Sequence, residues 1–181
     1  MKYHIWTAGC QMNVADSRRV ASGLEALGYE NSAKAEDADV IVLNTCVVRQ
    51  SAEDKAVGRL NSLKPFKTKN PNLVLNLMGC FVGYKNNDAL QKRFPFVDVF
   101  SAPSDVGPLV SYLTQAETNE LLKDEAQMQF AIQDGELVLP ISEKGNLVSA
   151  YVPVVLGCSH ACTYSIIPYR RGVEVRRPAA E

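Results

Sequence analysis

Short apolar runs alternate with helical stripes over about the first hundred residues of the chain, the spacing expected of a strand-helix-strand repeat. Residues 4–7, His-Ile-Trp-Thr, read as a strand. Residues 39–44 form a β-branched run of the kind buried on both faces of a parallel sheet. Residues 73–78 make a third run and 97–100 a shorter fourth. Between them Val20, Leu24 and Leu27 recur at helical spacing, and Gly28 follows where a left-handed cap closes a helix. A second helix is predicted from near Ser51, whose spacing to Asp54 resembles a capping box, through Ala56, Leu60 and Leu63, with Pro65 ending it. A third covers 88–93. Ser104 is expected to cap a fourth running through Leu109 and Leu113, with Pro108 in its first turn or just beyond. The pattern predicts an α/β fold: a mostly parallel open sheet with flanking helices.

Past Thr114 the pattern weakens into a polar stretch, then a hairpin signal at Asp134-Gly135 between Phe130, Ile132, Leu137 and Leu139. A new apolar run at 151–156 delivers the chain into GCSHACTYS. The expected division is an N-terminal α/β domain over 1–114, a connector over 115–149 and the start of a second domain over 150–181.

Composition narrows the classes. With 181 residues and 46% hydrophobic content, the chain can bury one ordinary core plus a smaller appendage. Nineteen Lys and Arg against twenty Asp and Glu provide no global attraction to a polyanion, so any nucleic-acid contact must be local. No run approaches the roughly 20 apolar residues that span a bilayer, and MKYHIWTAGC lacks the apolar core of a secretory signal. These features predict a cytoplasmic protein with no membrane partner.

Five cysteines, an odd and scattered set, suit a reduced metal-binding chain better than a disulfide framework. Cys10, Cys46 and Cys80 each follow the C-terminal end of a predicted strand, in TAGCQMN, LNTCVVR and LMGCFVG. All βα loops of a parallel sheet leave from one edge, so thiols far apart in sequence can converge there. Three thiolates can hold three irons of a 4Fe-4S cube and leave the fourth open to a non-protein ligand. A structural zinc site would want a fourth Cys or His, and neither His4 nor His160 is an evident candidate. The remaining reading is three inert core thiols.

Around Cys158 and Cys162 the chain resembles the radical-SAM cluster loop, C-x3-C-x2-C with an aromatic residue before the third cysteine; Tyr164 matches the aromatic position and Ser165 stands at the third cysteine. Together with GCQMNVADS, LNTC, MGC and SAEDKAVGRL, the loop makes the chain similar to the methylthiotransferase family of radical-SAM enzymes over nearly its whole length. The GCQMN form most resembles the branch that methylthiolates isopentenylated adenosine beside the tRNA anticodon. The resemblance implies an auxiliary cluster on Cys10, Cys46 and Cys80, then the first strand and loop of a radical-SAM barrel that continues beyond residue 181. It implies S-adenosyl-L-methionine and a second 4Fe-4S cluster on Cys158 and Cys162. It also implies tRNA as partner, an external electron donor and a sulfur source. No separate catalytic side chain can be assigned. Ser165 offers a hard, weakly acidic oxygen in place of a thiolate, so the second cluster is expected to assemble poorly and this chain to be inactive alone.

Other polar residues carry weaker expectations. Asn13, Asp16 and Ser17 read as caps of the helix after Cys10, Asn44 and Thr45 as supports of cluster sulfurs or as packing, and Trp6 as core. His160 reads as a turn residue or as lining a cofactor site. Arg170, Arg171, Arg176 and Arg177 form a basic stretch, with Lys64, Lys67 and Lys69 nearby in type, that could meet tRNA phosphates. The rival functions are a non-catalytic iron-sulfur module, a sibling methylthiotransferase with another substrate, and a flavodoxin-like binding domain with incidental cysteines.

Overall fold

In the computed structural model, which describes residues 1–84, 87–116, 140–143, 145, 148, 149 and 151–176, the alternation winds into a five-stranded sheet. Its strands are β1 (Lys2–Thr7), β2 (Glu30–Asn31), β3 (Val40–Thr45), β4 (Val74–Gly79) and β5 (Val99–Ser101). They lie in the order β2-β1-β3-β4-β5 and every pairing is parallel. The connecting helices are α1 (Gln11–Ala26), α2 (Gln50–Lys69), α3 (Asp88–Arg93) and α4 (Gly107–Ala116).

Helices cover both faces, which is why β3 reads as an unbroken apolar run rather than an alternation. On one face Tyr3, Val40, Val42, Met78 and Val99 meet Val20 and Leu24 of α1 and Leu109 and Leu113 of α4. On the other, Ile41, Leu43, Leu75 and Leu77 meet Leu60 and Leu63 of α2 together with Phe94. Each fully buried aliphatic side chain contributes about 1.5–3 kcal/mol, so β3, buried at all its positions, anchors the sheet. Trp6 is half-buried against the second cluster, in keeping with a core role.

Three local expectations are corrected. Pro65 does not end α2, which runs on to Lys69. A proline removes one backbone donor from a helix, but Phe66 packs on the core and the Lys67 ammonium binds Asp98 and the Leu73 carbonyl, holding the last turn in place. Ser51 forms no capping box; α2 starts at Gln50, whose amide donates to Asp54. Ser104 does not cap α4 either. It sits at φ +63 with its hydroxyl donating to Asp16, while Asp105 accepts the Gly107 N–H. The edge strand β2 was unforeseen because its two residues are polar and exposed, with no apolar signal to read.

The second segment is small. Only the end of the 151–156 run is extended: β6 (Val155–Leu156) pairs antiparallel with β7 (Val175–Arg176), and α5 (Ile167–Arg171) lies between them. The hairpin expected at Asp134-Gly135 lies outside the described residues. No helix among those residues is long and apolar enough to cross a membrane.

Candidate functional site: a rim of three thiols

Sheet register places the three early cysteines. Thr7 pairs with Asn44, and Thr45 with Gly79, so β1, β3 and β4 end level with one another and Cys10, Cys46 and Cys80 leave from one rim. The Ala8 N–H donates to the Asn44 carbonyl at 2.9 Å and the Cys80 N–H to the Thr45 carbonyl at 3.0 Å, carrying the ladder into the loops. Two glycines let those loops nest. Gly9, at φ +129, lies so close that a Cβ there would come within 2.6 Å of the Cys46 Cβ. Gly79, at φ +96, would place one 2.5 Å from the Thr45 carbonyl oxygen. Cys46 and Cys80 are buried and Cys10 is exposed, so the rim opens to solvent on one side.

Beneath the thiols lies a polar floor. Asn13, Asp16 and Ser17 are not caps; they sit inside α1, whose N-cap residue is Cys10 itself, and all three are buried. The Asn13 amide donates to the Asn44 side-chain oxygen and to the Thr45 carbonyl, both at 2.9 Å. Asn44 returns donors to the Asn13 carbonyl at 2.8 Å and the Ser17 hydroxyl at 3.0 Å. Thr45 donates to the Met78 carbonyl at 2.6 Å. The Cys10 thiol points to the Asn13 side-chain oxygen at 3.4 Å. Asn44 and Thr45 therefore brace the loops that carry the thiols, since a satisfied buried network fixes geometry more tightly than apolar packing.

Arg171, the last residue of α5, reaches this floor from the second segment. It is 8% exposed, pairs with Asp16 at 3.0 Å, donates to the Asn13 side-chain oxygen at 3.4 Å, and lies close enough to the Cys80 thiol to bear on its ionisation. Burial pushes the Cys80 thiol up; the Arg171 guanidinium opposes that rise, and the neighbouring Cys46 and Cys10 add to it. Burial alone would lower the pKa of Arg171, but Asp16 and Cys80 outweigh burial and hold it above its ordinary value. Three sulfurs and one cation thus share one electrostatic site.

Of the basic residues read as able to meet tRNA phosphates, several are engaged within the protein. Arg171 is spent on Asp16, Arg176 pairs with Glu174, and Lys67 pairs with Asp98. Lys64 and Lys69 are exposed, and Arg177 lies outside the described residues. A signal for the buried floor did exist in the sequence: Asn13, Asp16 and Ser17 continue the helical stripe of Val20 and Leu24 backwards, on the face that turns inward.

The second cysteine pair lies on a different kind of surface. Cys158 is half-buried and Cys162 exposed, on the loop joining β6 to α5. The Cys158 N–H donates to the Gly172 carbonyl at 3.1 Å and Ser159 accepts the Glu174 N–H at 3.0 Å, closing the loop at its base. His160 brings Nδ1 to 3.8 Å from the Cys158 sulfur. Tyr164 is 91% exposed, and the Ser165 hydroxyl accepts the Ile167 N–H at 3.4 Å.

Three cysteine sulfurs on adjacent loops, propped by glycines and backed by hydrogen-bonded side chains, fit the donor set of an iron-sulfur cube. Among the described residues no three Cys, His, Asp or Glu side chains close on a common point as a single ion demands. A cube spreads its thiolate ligands over separate corners and asks for a wider arrangement.

Comparison with known proteins follows the same outline. Residues 2–102 match the model of the family described as uncharacterized protein family UPF0004. The chain is 38% identical over 181 residues to the tRNA-2-methylthio-N(6)-dimethylallyladenosine synthase of Herpetosiphon aurantiacus, covering 99% of this chain and 38% of that protein. It is 40% identical over 179 residues to the synthase of the same name from Mycolicibacterium smegmatis, covering 97% of this chain and 34% of that protein. With the Roseiflexus protein of that name the identity is 38%, over 99% of this chain and 35% of that one. The chain thus spans little more than a third of the length of these curated relatives. The match over residues 2–102 establishes that the chain belongs to the UPF0004 family, and its likeness to these synthases agrees with the methylthiotransferase family that the cysteine motifs resemble.

Proposed function

We propose that this chain is the front part of a tRNA methylthiotransferase that adds a methylthio group to C2 of an isopentenylated adenosine next to the anticodon. In this reading the division into 1–114, 115–149 and 150–181 stands, and the whole protein works in the cytoplasm with tRNA, an electron donor and a sulfur source. The observation that supports it most is the level ending of β1, β3 and β4, which brings Cys10, Cys46 and Cys80 to one rim.

Cys10, Cys46 and Cys80 would hold an auxiliary 4Fe-4S cluster, and Cys158 and Cys162 two corners of a second, next to bound S-adenosyl-L-methionine. When bound, these groups supply a carbon radical and a sulfur store, chemistry that belongs to cofactors rather than to side chains. The protein's part is positional. Gly9 and Gly79 allow the rim loops close approach, and Asn13, Asn44 and Thr45 fix where the thiols stand. Tyr164, exposed beside the second loop, is free to face a cofactor or the remainder of the protein.

Ser165 favours a second reading, a non-catalytic module with a single cluster, because its hydroxyl is engaged by the Ile167 N–H and offers no thiolate. Anaerobic reconstitution with iron and sulfide separates the readings. About four irons per chain are expected for the chain as it stands and about eight for Ser165→Cys, taking four per cube. No iron uptake in either would leave a binding domain with incidental cysteines. Four in both would favour the module.

A further inference from the structure

Arg171 is held at unusual cost. Guanidinium and carboxylate are both buried, and a buried pair taken from water is often no more stabilising than apolar side chains of similar size. Docking α5 on the sheet edge would be served as well by an apolar pair in place of both Arg171 and Asp16. Ile166, which packs on the Leu43 and Leu77 side of the core, and the close approach of the Arg170 side chain to Gly83 already supply apolar and steric contact there. What only a cation can do is face both an anion and a sulfur at once. Arg171 comes near both: its Nη2 meets Asp16, which also accepts from Ser104 at 2.6 Å, and at 3.4 Å the Asn13 oxygen that Cys10 contacts, and its charge lies beside the Cys80 thiol.

We propose that Arg171 is a positioning residue that links the two cysteine regions, setting its charge from the second segment against the three-thiol rim through Asp16 and Asn13 so that the rim's charge state governs how firmly residues 157–176 dock. The inference rests on the reading of Cys10, Cys46 and Cys80 as cluster ligands. A guanidinium is attracted more strongly to a nearby thiolate or anionic cluster than to a neutral thiol, so the loaded rim grips Arg171 harder than the empty one. In the other direction, a positive charge beside the ligand sulfurs stabilises the reduced, more negative cluster, raising its potential. Asp16 acts with the opposite sign and sets the balance.

The test is a redox titration of the auxiliary cluster in the reconstituted 181-residue chain, followed by its visible absorbance, for the parent, Arg171→Met, Arg171→Lys and Asp16→Asn. Iron is counted in each. The midpoint is expected to fall in Arg171→Met, to recover in part in Arg171→Lys, and to rise in Asp16→Asn. Opposite signs at two residues of one ion pair are not produced by a loss of structure, which would move both variants the same way. Hydrogen exchange of the 157–176 amides should slow on loading in the parent and lose that response in Arg171→Met. If Arg171→Met does not fold, the lysine and Asp16 variants still decide the sign. A parent that takes up no iron overturns the cluster reading and this inference with it. A parent with about four irons whose midpoint is unmoved in all variants overturns the role of Arg171 alone.

Discussion

Two cysteine regions in one chain are built in contrasting ways. Around Cys10, Cys46 and Cys80 the backbone is fixed by sheet register, by two glycines at positive φ and by a buried net of Asn13, Asn44 and Thr45. Around Cys158 and Cys162 the chain is a surface loop fastened at its base, with Cys162 and Tyr164 open to solvent. The first region is preorganised by its own domain. The second has its shape set mainly by local backbone bonds, with Arg171 as its one buried charged tie to the first among the described residues. A rim whose geometry is fixed by the sheet is therefore encoded by distant sequence pieces, whereas the surface loop is encoded within a short motif.

The contrast predicts unequal responses to mutation in the metal-free chain, measured by urea unfolding. Asp16→Ala should be the most damaging, by about 3–5 kcal/mol, because it strands a buried guanidinium. A loss below 1 kcal/mol would mean that the two regions are not tied through this pair. Gly79→Ala should cost about 2–3 kcal/mol, since the backbone is left-handed there and the new Cβ meets a carbonyl. Next comes Asn44→Ala at about 2 kcal/mol, from the unmatched polar groups it leaves on Asn13 and Ser17. Cys162→Ser, on the exposed loop, should change stability by no more than about 0.5 kcal/mol. Were it to rival the rim variants, the distinction between a built rim and a surface loop would fail.

Much of the fold was legible because its strands are simple. The unbroken run at Val40–Thr45 and the strand-final cysteines announced a parallel sheet and a shared edge. Legibility failed where the deciding contact is distant. Ser104 looked like a local cap, but its hydroxyl goes to Asp16 across the fold. Pro65 looked like a stop, yet Lys67 clamps the following turn to Asp98 on the approach to β5. Arg171 looked like one member of a basic run, and only its approach to Asp16 and Cys80 distinguishes it from Arg170. Charge in a short motif does not reveal whether its partner is solvent, a polyanion or a buried carboxylate.

Iron content after single cysteine replacement addresses the rim most directly. Replacing Cys10, Cys46 or Cys80 with alanine, one at a time, should each take the reconstituted chain from about four irons to near none, while Cys158→Ala and Cys162→Ala leave about four. Full iron retention in any of the three rim variants, or its loss in the two loop variants, would contradict the assignment of these thiols as one ligand set.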